Sequence, residues 1–281
     1  MKRLSTGIVI LIGAIFLVIL IGSIPKGGTE GVVLDNENFT EVSVQADNGR
    51  VSIFPAQTNS PSVELSNNEK GKYKLHTKVK GDKLEVELRK KWFQWVSINF
   101  GINSSPHLTV YLPEKQFENI EAQTDNGRIS IEDIKVEQLS ADTDNGKIFV
   151  RNVQGTDIKT RTDNGSVELE DIIGNIDTKT DNGSVTLENI TGNIKSKTDN
   201  GKITLITETL DRDIDLKTDN GAIDIKTKTE PTNATINIKK DNGKVTVFGE
   251  TFYDTVIGEG ENQINIETDN GRVRIESDDR E

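Results

Sequence analysis

Nine Asp-Asn-Gly tripeptides, beginning at Asp47, Asp125, Asp144, Asp163, Asp181, Asp199, Asp219, Asp241 and Asp269, hold the residues with the strongest claim to chemistry. From the second copy onward they recur at steps of 19, 19, 18, 18, 20, 22 and 28. If the copies stack, their carboxylates stand in a column, and repeated acidic turns in β-rolls bind Ca²⁺ through about six to eight oxygens. Two structural uses compete with that reading. Each Asp can accept hydrogen bonds from its own turn amides as an Asx turn. The residue after Gly is basic in six copies (Arg50, Arg128, Lys147, Lys202, Lys244, Arg272), and those cations can offset the column's self-repulsion without a metal. We expect no metal and no cofactor.

Few other residues suggest catalysis. The chain has no cysteine, which excludes disulfides, thiolate metal sites and a cysteine nucleophile. His76 and His107 lack metal-ligand spacing and read as surface strand residues. Neither a Gly-x-Ser-x-Gly elbow nor a Gly-Lys-Ser/Thr phosphate loop occurs. Nothing among the 46 acidic residues singles out an acid–base pair for sugar chemistry. The cluster Lys90–Phe100 differs in kind, because it contains both tryptophans of the chain. Trp92, Phe93, Trp95 and Phe100 are candidates for partner binding, since clustered aromatics beside cations are typical of interaction hot spots; burial in a cap is the competing reading.

The elements around each tripeptide are strands. Two and four residues after every glycine lies an aliphatic residue, as in Val167/Leu169 and Val185/Leu187, and five residues before every aspartate lies Val, Ile or Leu. Such alternation marks a strand with one buried face. A meander of hairpins is one arrangement, because Asn-Gly between alternating strands is a strong hairpin signal. A single-stranded β-solenoid is the other, and we favour it because stacked coils must keep a near-constant length. Small residues three before the aspartates (Ala122, Ala141, Thr160, Thr178, Ser196) fit coils of about 18–20 residues, with two strands around a narrow, two-faced core. No proline falls between Glu114 and Glu230, where each strand needs its N–H groups. Longer steps place insertions near 206–213, 226–235 and 248–262.

The remaining organisation follows from composition. Residues 7–24, GIVILIGAIFLVILIGSI, carry no charge and follow Lys2 and Arg3. Their length suits a transmembrane anchor with its N-terminus inside; a cleaved signal peptide is the competing reading. We therefore expect a cytoplasmic stub at 1–6, the anchor at 7–24, a linker at 25–31, an N-terminal coil and irregular β cap at 32–118, and regular repeats at 119–281. In the cap, strands are expected at Ser62–Ser66, Lys72–Lys80, Lys83–Arg89, Trp92–Phe100 and Leu108–Leu112. Every acidic residue lies beyond Ile24, so that part carries 32 basic against 46 acidic residues, a net −14. That balance argues against nucleic acid and against lying flat on anionic lipid.

The stretch LTVYLPE (Leu108–Glu114), followed by NIEAQTDNGRISIEDI (Asn119–Ile134), resembles the putative-adhesin domain family of unknown function, which includes the membrane-anchored LiaG-like proteins of bacterial envelope-stress operons. The resemblance implies a surface-exposed β-solenoid without inherited catalytic residues. The expected function is a single-pass, non-catalytic interaction or scaffold module of the bacterial cell envelope, linked to envelope stress, binding another envelope protein or a wall polymer. A surface adhesin is the first alternative, and an enzyme acting on wall glycans the second.

Overall fold

The computed structural model describes residues 30–34, 38–57, 60–68, 71–91, 105–251 and 254–278. The apolar run at 7–24 and the aromatic candidates Trp92, Phe93, Trp95 and Phe100 lie outside them. Among the described residues every element is a strand, and no helix is long and apolar enough to cross a membrane.

The central repeats are β8 (Gln116–Asn126), β9 (Ile129–Asn145), β10 (Ile148–Asn164) and β11 (Val167–Asn182). Their pairing decides between the two arrangements. Strands joined by a tripeptide turn do not fold back on each other. They lie parallel, one coil apart, with Ile129 opposite Ile148 and Ile148 opposite Val167. The register brings like onto like: Ile134, Val153 and Ile172 form one buried column, and Leu139, Ile158 and Ile176 another. The fold is thus a parallel β-solenoid.

The coil is not two-sided, however. Asp133, Asn152, Asp171 and Asn189 each adopt a left-handed conformation, with φ of 59°, 50°, 54° and 54°, which Asn and Asp tolerate better than other non-glycine residues. There the inward residues step by three instead of two, from Ile131 to Ile134 and from Leu169 to Ile172. A third bend therefore divides these four coils, and for them the expected two-strand coil is corrected.

The irregular cap conceals a further coil. β2 (Glu41–Asn48) and β3 (Arg50–Pro55) stack on β8 and β9, with Val42 opposite Ile120 and Val51 opposite Ile129. Beneath them β6 (Lys83–Lys90) and β7 (His107–Leu112) lie parallel in the same register, Leu84 on Val42 and Leu108 on Val51. This coil lacks the tripeptide, so the repeat pattern did not reveal it. Antiparallel strands then end the parallel stack: β5 (Tyr73–Lys80) on β6, β4 (Ser62–Ser66) on β7, and β1 (Glu30–Val33) on β4.

At the other end, spatial order departs from chain order. β15 (Ile214–Asn220) and β16 (Ile223–Thr227) pair with β20 (Asn262–Asn270) and β21 (Val273–Ser277). Those in turn pair with β17 (Ala234–Asn242) and β18 (Val245–Val247). The last copy in sequence is therefore inserted before the second-last, and β19 (Asp254–Ile257) closes the stack antiparallel to β17.

Candidate interaction surfaces

The tripeptide corner shows what each residue of the repeat does. The Asn side chains form one continuous amide ladder, in spatial order Asn48, Asn126, Asn145, Asn164, Asn182, Asn200, Asn220, Asn270 and Asn242. Each Nδ2 donates to the Oδ1 of the neighbour before it, at 2.9–3.1 Å. The preceding threonines point inward, and the Oγ1 of Thr162, Thr180, Thr198, Thr218 and Thr268 donates to the glycine carbonyl of the adjoining coil. Glycine is required because the corners nearly touch: a Cβ on Gly165, Gly183 or Gly201 would fall 1.6–1.8 Å from the carbonyl oxygen of the next corner.

The aspartates project outward. Among the described residues none accepts a bond from its own turn amides, so the Asx-turn expectation is corrected. Three of them pair with a cation two residues before, not after the glycine: Arg161–Asp163, Lys179–Asp181 and Lys197–Asp199 are 3.1–3.2 Å apart, while Asp47 pairs with Arg89. Of the cations after glycine, Lys147 reaches Glu168, while Lys202 and Arg272 converge on Asp224 at 2.7 and 2.9 Å. Asp224 is nearly buried. The two-pronged hydrogen bond from Arg272, helped by Lys202 against the cost of burial, holds its carboxyl at about 2. Where the aspartate column meets the cap, burial and the charges of Asp144 and Asp47 raise the carboxyl of Asp125.

Among the described residues no three His, Asp or Glu side chains gather in a metal-holding cluster. His76 is exposed on β5. His107 is half-buried, with its Nε2 2.9 Å from the Ser52 hydroxyl, and burial followed by the charge of Arg50 lowers its pKa.

A groove of about 790 Å³ runs beside the third bend. One wall is the link Pro113–Phe117, and the other is made by three successive coils at Asp133–Lys135, Asn152–Gln154 and Asp171–Ile173. At its rim Asn152 donates to Asp133, at 2.6 Å. Lys115 packs over the rings of Phe39 and Phe117, at 4.8 and 5.2 Å, and donates to the Phe39 carbonyl. Ile173 is 53% exposed at this groove.

The stack from the first tripeptide coil to the last strand coincides with a known sequence pattern, that of Toastrack DUF4097, which matches residues 39–276. The chain belongs to the Toastrack DUF4097 family. The Toastrack match starts at Phe39, whose side chain is fully buried against Phe117, and ends within β21. No curated protein matches the chain. Three crystal structures are similar over nearly all of it. A putative adhesin from Bacteroides fragilis has 11% identity and a TM-score of 0.49, covering 90% of this chain and 100% of that one. A putative adhesin from Parabacteroides distasonis has 10% identity and a TM-score of 0.31, with 89% and 98% covered. A putative lipid binding protein from the same organism has 14% identity and a TM-score of 0.31, with 89% and 97% covered. Likenesses at this level carry no argument about what the Toastrack stack described above binds.

Proposed function

We propose that this chain is a membrane-anchored, extracytoplasmic scaffold of the bacterial cell envelope that binds a partner through the sides of its solenoid and performs no catalysis. One observation carries the reading. The invariant Asn and Gly, with the Thr present in seven of the nine copies, hold neighbouring coils together, whereas the outward positions other than the tripeptide Asp differ from coil to coil. In a single row on the face after the tripeptide stand Ser130, Phe149, Glu168, Thr186, Thr204 and Asp224. A rigid ladder displaying varied side chains about 4.8 Å apart is the arrangement repeat proteins use for extended binding. The groove, with Ile173 exposed at it, is a concave face that a partner segment could enter. The uncharged run at 7–24 supplies the anchor, and the aromatic residues Trp92, Phe93, Trp95 and Phe100 are a second contact point in this proposal.

In-cell crosslinking followed by purification from native membranes tests the proposal. A defined partner is expected with the wild-type chain and is lost with Ile173→Asp or with Trp92→Ala/Trp95→Ala. Hydrolysis of peptidoglycan or teichoic acid by the pure chain, absent after boiling, would overturn it.

A further inference from the structure

The two ends of the solenoid carry opposite charge. Residues 72–91, which supply β5 and β6 of the first cap, contain eight Lys/Arg against three Asp/Glu, a net +5 in a chain whose total is −12. The opposite cap, residues 250–261 around β19, contains four acidic residues and no basic one. Averaging over the chain conceals this polarity, which is why net charge alone argues against any contact with anionic lipid.

The basic end is largely uncompensated. Lys78 pairs with Glu85 at 2.7 Å, Lys83 with Glu121 at 3.5 Å, and Arg89 with Asp47 at 3.1 Å. Lys74, Lys80, Lys90 and Lys91 are exposed, and among the described residues their ammonium groups have no carboxylate within 4.0 Å, although the Lys90 backbone N–H donates to Asp47. A lysine or two suffices to keep an edge strand from recruiting another chain. Here β5 aligns Lys74, Lys78 and Lys80 on one face, with Arg89 and Lys83 directly opposite Lys74 and Lys80 on β6.

Position names the counter-surface. β1 belongs to the same end of the stack and begins at Glu30, six residues after Ile24. β1 ends the stack on the β7–β4 side and β5 ends it on the β6 side; six residues span at most about 20 Å, which keeps this end of the stack close to any bilayer that holds residues 7–24. We propose that this basic cap docks on the headgroups of anionic phospholipids and stands the solenoid end-on, with its acidic cap pointing away. The inference rests on the anchor reading of residues 7–24, and lysine clusters beside an anchor are attracted to anionic leaflets over about a Debye length.

The absence of cysteine permits a direct test. His76→Cys on β5 and Val256→Cys on β19 are each labelled with a fluorophore in the full chain. The chain is placed in nanodiscs of phosphatidylcholine, with or without phosphatidylglycerol, containing a headgroup spin label. Quenching is expected at position 76 in anionic discs, several-fold weaker in neutral discs, at high salt, or in a Lys74→Gln/Lys80→Gln/Lys90→Gln/Lys91→Gln variant, and absent at position 256 throughout. Among the described residues those four lysines make no ion pair, so the variant is expected to leave the fold intact. Equal quenching at position 76 in both lipids overturns the inference. So does binding of soluble poly(glycerol phosphate) without lipid-dependent quenching, which assigns the cap to a wall polymer. Retention in neutral discs at high salt reads the anchor separately. If it fails there while anionic discs still recruit the chain and quench position 76, the anchor reading falls and the basic cap stands.

Discussion

Asn270 donates its Nδ2 hydrogen to the Oδ1 of Asn220 at 3.0 Å, across fifty residues of sequence. Asn242, nearer in the chain, bonds instead to Asn270. The amide ladder thus follows the spatial stack and ignores chain order, showing that the corner chemistry is a property of neighbouring coils. A net contribution of about 0.5–1.5 kcal/mol is typical of one such bond, and each interior asparagine takes part in two.

Removing an interior rung separates the roles of Asp and Asn in the tripeptide. Asn182→Ala deletes its bond to Asn164 and the bond it accepts from Asn200, and is expected to cost about 1–2 kcal/mol. Asp181→Ala removes only an exposed pair with Lys179 and should change stability by less than about 1 kcal/mol. Urea unfolding of the two variants checks the order; an equal or larger loss for Asp181→Ala would return the aspartate column to a central role.

Close approach at the corner makes a steeper prediction. A Cβ on Gly183 would lie 1.6 Å from the Gly165 carbonyl oxygen, a backbone atom that cannot move without its coil. Gly183→Ala is expected to destabilise by more than about 4 kcal/mol. Gly81→Ala, in the β5–β6 turn with φ of 64° and nothing within 4 Å, should cost only the left-handed penalty of about 1–2 kcal/mol. Thermal unfolding of both variants distinguishes a steric corner from a merely conformational one.

Inside the stack, Val185 is fully buried between Val167 and Ile203. Val185→Asp places a carboxylate in an apolar column and is expected to cost at least about 4 kcal/mol. Because each coil contacts only its neighbours, amide exchange should rise first in residues 167–207 and spread outward. Unchanged exchange there would mean that Val185 does not face the core.

The Asp224 clamp predicts a pH dependence. Its folded carboxyl lies near 2 against an ordinary 3.8, so between those values the unfolded chain binds more protons than the folded one. The clamp's stabilisation, about 2 kcal/mol, is complete above about pH 5 and is lost as pH falls toward 2. Asp224→Asn should therefore lower stability at neutral pH and flatten the acid limb of urea midpoints measured between pH 2 and 5.

Much of this architecture was legible from residue types. Alternation such as Val167/Leu169, the fixed tripeptide and the missing prolines together predicted stacked coils, because a parallel stack demands constant length and free N–H groups. The third bend had a signal that went unused: Asp133, Asn152, Asp171 and Asn189 each follow the tripeptide glycine by six residues. The coil made by β6 and β7 had none, since its register depends on Leu84 and Leu108 meeting Val42 and Val51. The groove was equally hidden, because it forms between Pro113–Phe117 and coils that lie up to sixty residues further along the chain. The charge at the first cap was visible in the sequence, but its counterpart at β19 became a second pole only when both were placed at opposite ends.

The inserted last copy bears on how the chain can be made. Synthesis delivers residues 234–247 before residues 262–277, yet in the finished stack the later segment lies underneath the earlier one. Until it arrives, the exposed rim of β15 and β16 has no lasting occupant, and the coil at 234–247 has no seat. Residues 262–277 thus act as a keystone: their arrival completes two interfaces at once, and the coil at 234–247 can take its seat only after that later segment has been made, whatever the pace of the rest.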